Sequence, residues 1–254
     1  MKQNRHNIET TVYLVGAGPG DPELLTLKAL RLIQEADAII YDDLVNVQLL
    51  DHASENCVCH YVGKRCGRHY KSQDEINTLL LEYAQKYRRV VRLKGGDPML
   101  FGRGAEEALF LCRHEVDFVV VPGISSALAG PAIAGIPLTS REINASVTIM
   151  TGHESKHSTS KINWEKLSGN LVILMGIYRL RSLVDQLLAV SGYAETTPIA
   201  VIYRATCENQ HVDIFTLSEL DNYLPQLKSP SVIVIGDIVY LREQLLMVKQ
   251  RLTS

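Results

Sequence analysis

Nowhere in the 254 residues does an apolar run approach the roughly 20 residues that a membrane-spanning helix requires, although hydrophobic residues make up 46% of the chain. An excess of one charge is missing too. The 26 Lys and Arg against 28 Asp and Glu leave a formal net charge of -2. That balance offers nothing to a nucleic acid, so an anionic ligand has to be held by a local cluster of cations. The five cysteines contain no C-x-x-C pair. Cys57 and Cys59 lie two apart in a strand-like segment and share a face, but the sequence supplies no clear further ligands for a metal. Reduced, structural thiols in a cytoplasmic protein are the expectation, with no metal site. Tryptophan occurs once, at Trp164, and carries no cofactor signature; there is no internal repeat and no low-complexity tract. The polar first ten residues are followed by no apolar segment and read as a flexible lead-in rather than a secretion signal.

What is present is an alternation. Apolar runs at 11–15, 38–41, 90–93 and 118–121 predict buried strands, and leucines at helical spacing over 23–36 predict a helix between the first two. A helix is expected over 72–86, where Ser72 and Glu75 form a capping box ahead of Ile76, Leu79, Leu80 and Tyr83. Another is expected over 104–114. Strands separated by helices imply a parallel sheet covered on its faces. Pro137 interrupts this pattern, and runs at 147–150, 171–175, 199–203 and 232–235 form a second set of strands, with a polar loop over 154–161. The fold class read from this is α/β, with two domains, 1–139 and 140–254, each a mainly parallel or mixed sheet flanked by helices.

Four motifs carry chemistry. Gly16-Ala17-Gly18-Pro19-Gly20 follows the first strand, where glycines allow a tight turn and close approach to a ligand. Asp42, after the second strand, stands where a dinucleotide fold keeps its ribose-binding acid, yet the spacing is G-x-G-x-G, not G-x-G-x-x-G. This motif alone is open to a cofactor loop or a plain strand-to-helix turn. Arg92-Leu93-Lys94-Gly95-Gly96-Asp97-Pro98 with Phe101-Gly102-Arg103-Gly104 is more specific, since adjacent glycines at a strand end expose peptide groups and Asp97 can accept hydrogen bonds from ammonium or hydroxyl donors. Pro122-Gly123-Ile124-Ser125-Ser126 offers hydroxyls after another strand, and Ser125 is also a good helix N-cap. Three such loops at strand carboxyl ends are expected to converge on one crevice. The fourth motif, Gly63-Lys64-Arg65-Cys66-Gly67-Arg68-His69-Tyr70-Lys71, is a basic run in an acidic chain and reads as a polyanion site, which Arg103 and Arg141 can extend. His52, His60, His114, His157 and His211 are scattered and read as surface or packing residues; His153 is intermediate.

Together these motifs resemble the tetrapyrrole methylase family, and within it the members that methylate uroporphyrinogen III. The carriers are VGAGPGDPELLTLKAL at 15–30, YDDLV at 41–45, GKRCGRH at 63–69, RLKGGDPMLFGRGAEE at 92–107, VPGISSALAGPAIAGIPLTSR at 121–141 and TGH at 151–153. The resemblance implies S-adenosyl-L-methionine as methyl donor, with S-adenosyl-L-homocysteine as product, in a cleft between two α/β domains of a homodimer. It implies uroporphyrinogen III and precorrin-1 as substrates methylated at carbons 2 and 7, and no nucleic acid, membrane or metal. By motif position Pro19, Gly95, Gly96, Asp97, Leu100, Ser125, Ser126, Met175 and Ala205 would contact the cofactor. Asp42 would be the proton acceptor and Lys64 the proton donor, with Arg65, Arg68, His69, Arg103 and Arg141 meeting the substrate's carboxylates. Two departures from the family pattern stand out: Asp43 replaces a commoner arginine or alanine, and Ser125-Ser126 stands where threonine and a small residue are usual. Rival readings are a sister methyltransferase acting on a later corrinoid, a nicotinamide-dependent oxidoreductase, and a non-catalytic tetrapyrrole binder.

Overall fold

The computed structural model describes residues 10–63, 72–153, 162–190 and 192–253. The chain divides into two compact units, Met1–Ser125 and Ser126–Ser254.

The first unit contains β1 (Thr11–Gly16), α1 (Leu27–Gln34), β2 (Ala38–Tyr41), β3 (Val58–Tyr61), α2 (Gln73–Ala84), β4 (Arg89–Lys94), α3 (Gly104–Arg113) and β5 (Asp117–Val121). All strand pairings in its sheet are parallel, in the order β3-β2-β4-β1-β5. Central strands covered on both sides are largely apolar, which is why β1 reads as a continuous run and β4 as one broken by Arg92 and Lys94. Alternation sends Val12, Leu14, Ile40 and Val90 to a face packed by Leu79, Leu80 and Leu111 of α2 and α3. It sends Val15, Ile39, Val91 and Leu93 to the face packed by Leu32 and Ile33 of α1. The Ser72–Glu75 capping box is present at the start of α2. The helix expected over 23–36 is split. A short turn, Pro22–Leu24, comes first, and α1 starts only after Thr26, whose hydroxyl accepts from the Ala29 N–H.

The second unit contains α4 (Ser126–Ile133), β6 (Val147–Thr151), β7 (Asn170–Leu174), α5 (Leu180–Val190), β8 (Pro198–Tyr203), β9 (His211–Thr216), α6 (Leu220–Tyr223), β10 (Ser231–Ile235) and α7 (Leu241–Thr253). Its sheet is mixed, in the order β6-β7-β10-β8-β9, with only β6 and β7 paired in parallel. Ile173, Ile199, Val201 and Ile233 meet Leu183, Val184 and Leu187 of α5 in its core.

The compact units divide after Ser125, whereas the sequence pattern placed the boundary at Thr139. The physical reason is α4, which packs on β7 and β10 of the second sheet. Gly130 makes this possible, since a Cβ there would already lie 3.0 Å from Ala205 Cβ. The Leu138 carbonyl is likewise held by the Asn170 amide at 3.0 Å. Pro137 therefore lies inside the second unit, four residues after α4 ends at Ile133. Among the described residues no helix is long and apolar enough to cross a membrane.

Candidate functional site

In the first unit the loops after β1, β4 and β5 meet at the carboxyl edge of the sheet, because those three strands are neighbours. The Gly96 N–H donates to the Gly18 carbonyl at 2.6 Å, and the Gly18 N–H returns to the Gly96 carbonyl at 3.3 Å. Asp97 ties in the third loop: Oδ2 accepts from the Gly123 N–H at 3.0 Å, while Oδ1 accepts from the Met99 N–H at 2.8 Å. The approach is too close for side chains. A Cβ on Gly123 would sit 2.3 Å from the Gly96 carbonyl oxygen, and one on Gly16 would sit 2.5 Å from Gly123 Cα. Gly96 also takes a left-handed φ of 67°, which favours glycine. Pro19 and Leu100 are half-buried on these loops, and the Ser125 side chain is buried. Phe101 and Arg103 hold φ values of 53° and 58°, a conformation costly for non-glycine residues that persists where surroundings enforce it.

β2 lies beside β4, and its end brings a fourth loop to the same edge. Gly95 is required there, since its Cβ would fall 2.5 Å from Leu44 Cβ. Asp42 Oδ2 accepts from Arg92 Nη2 at 3.0 Å, and Oδ1 accepts from the Leu44 N–H at 3.3 Å. Its side chain is 28% exposed, enough to reach a ligand while held by a buried guanidinium. Next to it the Tyr61 hydroxyl donates to Asp43 Oδ1, which gives the unusual acid at 43 a partner.

Arg92 and Lys94 are buried. Two apart on β4, both turn to the α3 side and pair with the fully buried Glu107, at 3.1 and 3.0 Å. Burial, reinforced by Arg92, pulls the Lys94 ammonium below the ordinary lysine value, with Glu107 opposing. The sequence reading overlooked Glu107. The signal was available: two cations on one face of a strand otherwise bearing valine and leucine demand a buried acid. The α3 stripe of Gly104, Glu107, Ala108 and Leu111 supplies one.

In the second unit Met175 and Ala205 follow β7 and β8, which run in the same direction because each is antiparallel to β10. Met175 is 54% exposed at φ 55°, and Ala205 is buried between Arg204 and Thr206 at φ 44° and 69°. Gly152 and Gly176 pack so closely that a Cβ on the former would touch the latter's Cα at 2.3 Å. Ser126 opens α4. His153 is exposed, its N–H donating to Thr151 Oγ1.

Lys64, Arg65, Arg68 and His69 lie outside the described residues. Arg103 is exposed and grips Glu106 through Nε and Nη2, at 3.0 and 2.6 Å. Arg141 is exposed in the turn closed by Ser140 and Asn144. The Cys57 thiol is pushed up to about 12, first by burial and then by Cys59, the reverse of what a thiolate ligand or nucleophile needs.

Residues 11–221 match the family model of tetrapyrrole (corrin/porphyrin) methylases. The chain is 47% identical over 236 residues to the uroporphyrinogen-III C-methyltransferase of Methanocaldococcus jannaschii, covering 90% of this chain and 96% of that one. It is 47% identical over 237 residues to siroheme synthase 2 of Aeromonas hydrophila, of which it spans 50%. The fold superposes with a TM-score of 0.79 on the uroporphyrin-III C-methyl transferase of Thermus thermophilus complexed with S-adenyl homocysteine. That relative is 39% identical, with 91% of this chain and 99% of the other covered.

Proposed function

The chain belongs to the tetrapyrrole (corrin/porphyrin) methylase family, and we propose that it is an S-adenosyl-L-methionine-dependent uroporphyrinogen-III C-methyltransferase. The reading has it methylate carbons 2 and 7 through precorrin-1. The observation that carries it is the meeting of three glycine-bearing loops beside the Arg92-held carboxylate of Asp42.

The groups at these loops suit a sulfonium nucleoside better than a nicotinamide dinucleotide. A pyrophosphate site needs a helix N-terminus at the glycine loop. Here the turn Pro22–Leu24 separates Gly18 and Gly20 from α1, and Pro19 and Pro22 remove two N–H donors. What the loops offer is peptide groups, the Asp97 carboxylate, the Ser125 hydroxyl and the apolar Leu100. These match an amino group, ribose hydroxyls and a base. In the proposal Pro19, Gly95, Gly96, Asp97, Leu100, Ser125, Ser126, Met175 and Ala205 hold the cofactor.

Bound S-adenosyl-L-methionine supplies a methyl group already activated on sulfur. The protein's part is alignment, which in well-oriented systems contributes up to ~7–11 kcal/mol, and proton handling. Asp42 accepts the proton released by the alkylated pyrrole carbon, and Lys64 is the proton donor by motif position. Arg65, Arg68, His69, Arg103 and Arg141 meet the substrate's carboxylates; Arg103 has to exchange Glu106 to do so. The reading further carries a homodimer in the cytoplasm, for which sedimentation at two concentrations is the check on assembly.

Incubation with uroporphyrinogen III and S-adenosyl-L-methionine should give a dimethylated product by mass spectrometry, and titration should show binding of this cofactor but not of NADPH. Unmethylated substrate or tight NADPH binding overturns the reading. Replacing Arg65 and Arg68 together by alanine should raise KM for uroporphyrinogen III by roughly 10-fold or more, the scale of losing charge-assisted hydrogen bonds, with cofactor affinity unchanged. Equal losses for both ligands would trace instead to a folding defect.

A further inference from the structure

We propose that the buried Glu107 is a positioning residue for Asp42, acting through Arg92. The inference rests on the reading of Asp42 as proton acceptor. Glu107 never reaches the loop edge, because its side chain is fully buried on α3. Its influence has to pass through the guanidinium.

Arg92 is fixed from three directions. Nε donates to Glu107 Oε1 at 3.1 Å, Nη1 to the Leu93 and Ile40 carbonyls at 3.0 and 3.3 Å, and Nη2 to Asp42 Oδ2 at 3.0 Å. A planar fork clamped at Nε and Nη1 has one orientation left for Nη2, and that orientation sets the carboxylate of Asp42. A neutral amide in place of the carboxylate leaves Nε a weaker acceptor, one that Lys94 and Gln73 also claim, so the plane can turn, and the Asp42 oxygen moves with it.

As a stabilising device Glu107 is poorly arranged. Oε1 accepts from Arg92, from Lys94 at 3.0 Å and from Gln73 Nε2 at 3.3 Å, while the buried Oε2 has no hydrogen-bond partner among the described residues. Buried ion pairs of this kind are commonly outperformed by apolar packing, and an orphaned buried oxygen adds a further cost. The arrangement makes sense as orientation. The four groups also balance in charge, Arg92 and Lys94 against Glu107 and Asp42, and Asp42 is the member most open to solvent.

The test is a mutant cycle on kcat in the full chain, with Glu107→Gln, Asp42→Asn and the double variant. Glu107→Gln should lower kcat roughly 10- to 100-fold, the scale of a displaced catalytic group, with KM and cofactor affinity near wild type. In the Asp42→Asn background the same substitution should change kcat by less than about twofold, because the group it positions is already gone. An equal loss in both backgrounds, or no loss in the wild-type background, overturns the positioning role. An Asp42→Asn enzyme at full speed instead sinks the reading of Asp42, and this inference with it. Where Glu107→Gln fails to fold, Lys94→Met/Glu107→Gln removes one charge of each sign and takes its place in the cycle, with the same expected and overturning results.

Discussion

Gly123→Val should abolish cofactor binding, lowering affinity for S-adenosyl-L-methionine by more than ~10²-fold, about 2.7 kcal/mol. A first side-chain atom at this position would lie 2.3 Å from the Gly96 carbonyl oxygen and 2.7 Å from Gly16 Cα. Both neighbours are backbone, so neither can swing aside. The branched side chain must drive the loop after β5 away from those after β1 and β4. It should also break the hydrogen bond from the Gly123 N–H to Asp97. The loops carry little of the core beyond Ala17, so the variant should still fold, with an overpacking penalty of about 1–3 kcal/mol visible in its melting. Gly192→Val is the control, since a Cβ there has nothing within 4 Å among the described residues. Calorimetry on the folded Gly123 variant decides the matter: unchanged affinity would remove the three-loop junction from the site.

That junction was legible in the sequence, and the reason is steric. Backbones that touch can carry only glycine, so Gly16 and Gly123 record the contact directly in the residue type, and Gly96 records its left-handed φ. The central strands were legible for a related reason, since β1 and β4 are covered on both faces and admit almost nothing polar. Arg92 and Lys94 are the exceptions, and the sequence reading took them for part of a ligand loop. Their partner sits on a helix ten or more residues away, so only the pairing of a strand face with a helix stripe reveals it. The edge strand β9 was not anticipated: its residues are mostly half-exposed and carry His211 and Asp213, so it presents no apolar run. Beyond the helix expected after Ser125, the helices of the second unit were not placed either. The boundary at Thr139 followed Pro137, a local signal, whereas the allegiance of α4 is decided by long-range packing against β7 and β10.

Asp42→Asn should lower kcat by roughly 10²–10⁴-fold, the usual contribution of a general base, while both ligands still bind. The structure sharpens what the substitution does. One oxygen of Asp42 accepts from Arg92 and the other from the Leu44 N–H, so both face donors. An asparagine can present its oxygen to only one of them and must turn its NH₂ toward the other. The variant therefore loses a hydrogen bond as well as the basic oxygen, at a cost of about 1–3 kcal/mol or less at this partly open position. Stability has to be measured alongside turnover for that reason. A ribose-binding Asp42 gives a different pattern, with weakened cofactor affinity and a nearly normal rate at saturation. A purely structural Asp42 gives lower melting and little kinetic change beyond it. Asp42→Glu separates chemistry from geometry, because it keeps a carboxylate but lengthens its reach from a fixed guanidinium. A base whose position matters should leave this variant slow yet faster than Asp42→Asn, and an Asn variant running at full speed would end the assignment of Asp42 as proton acceptor.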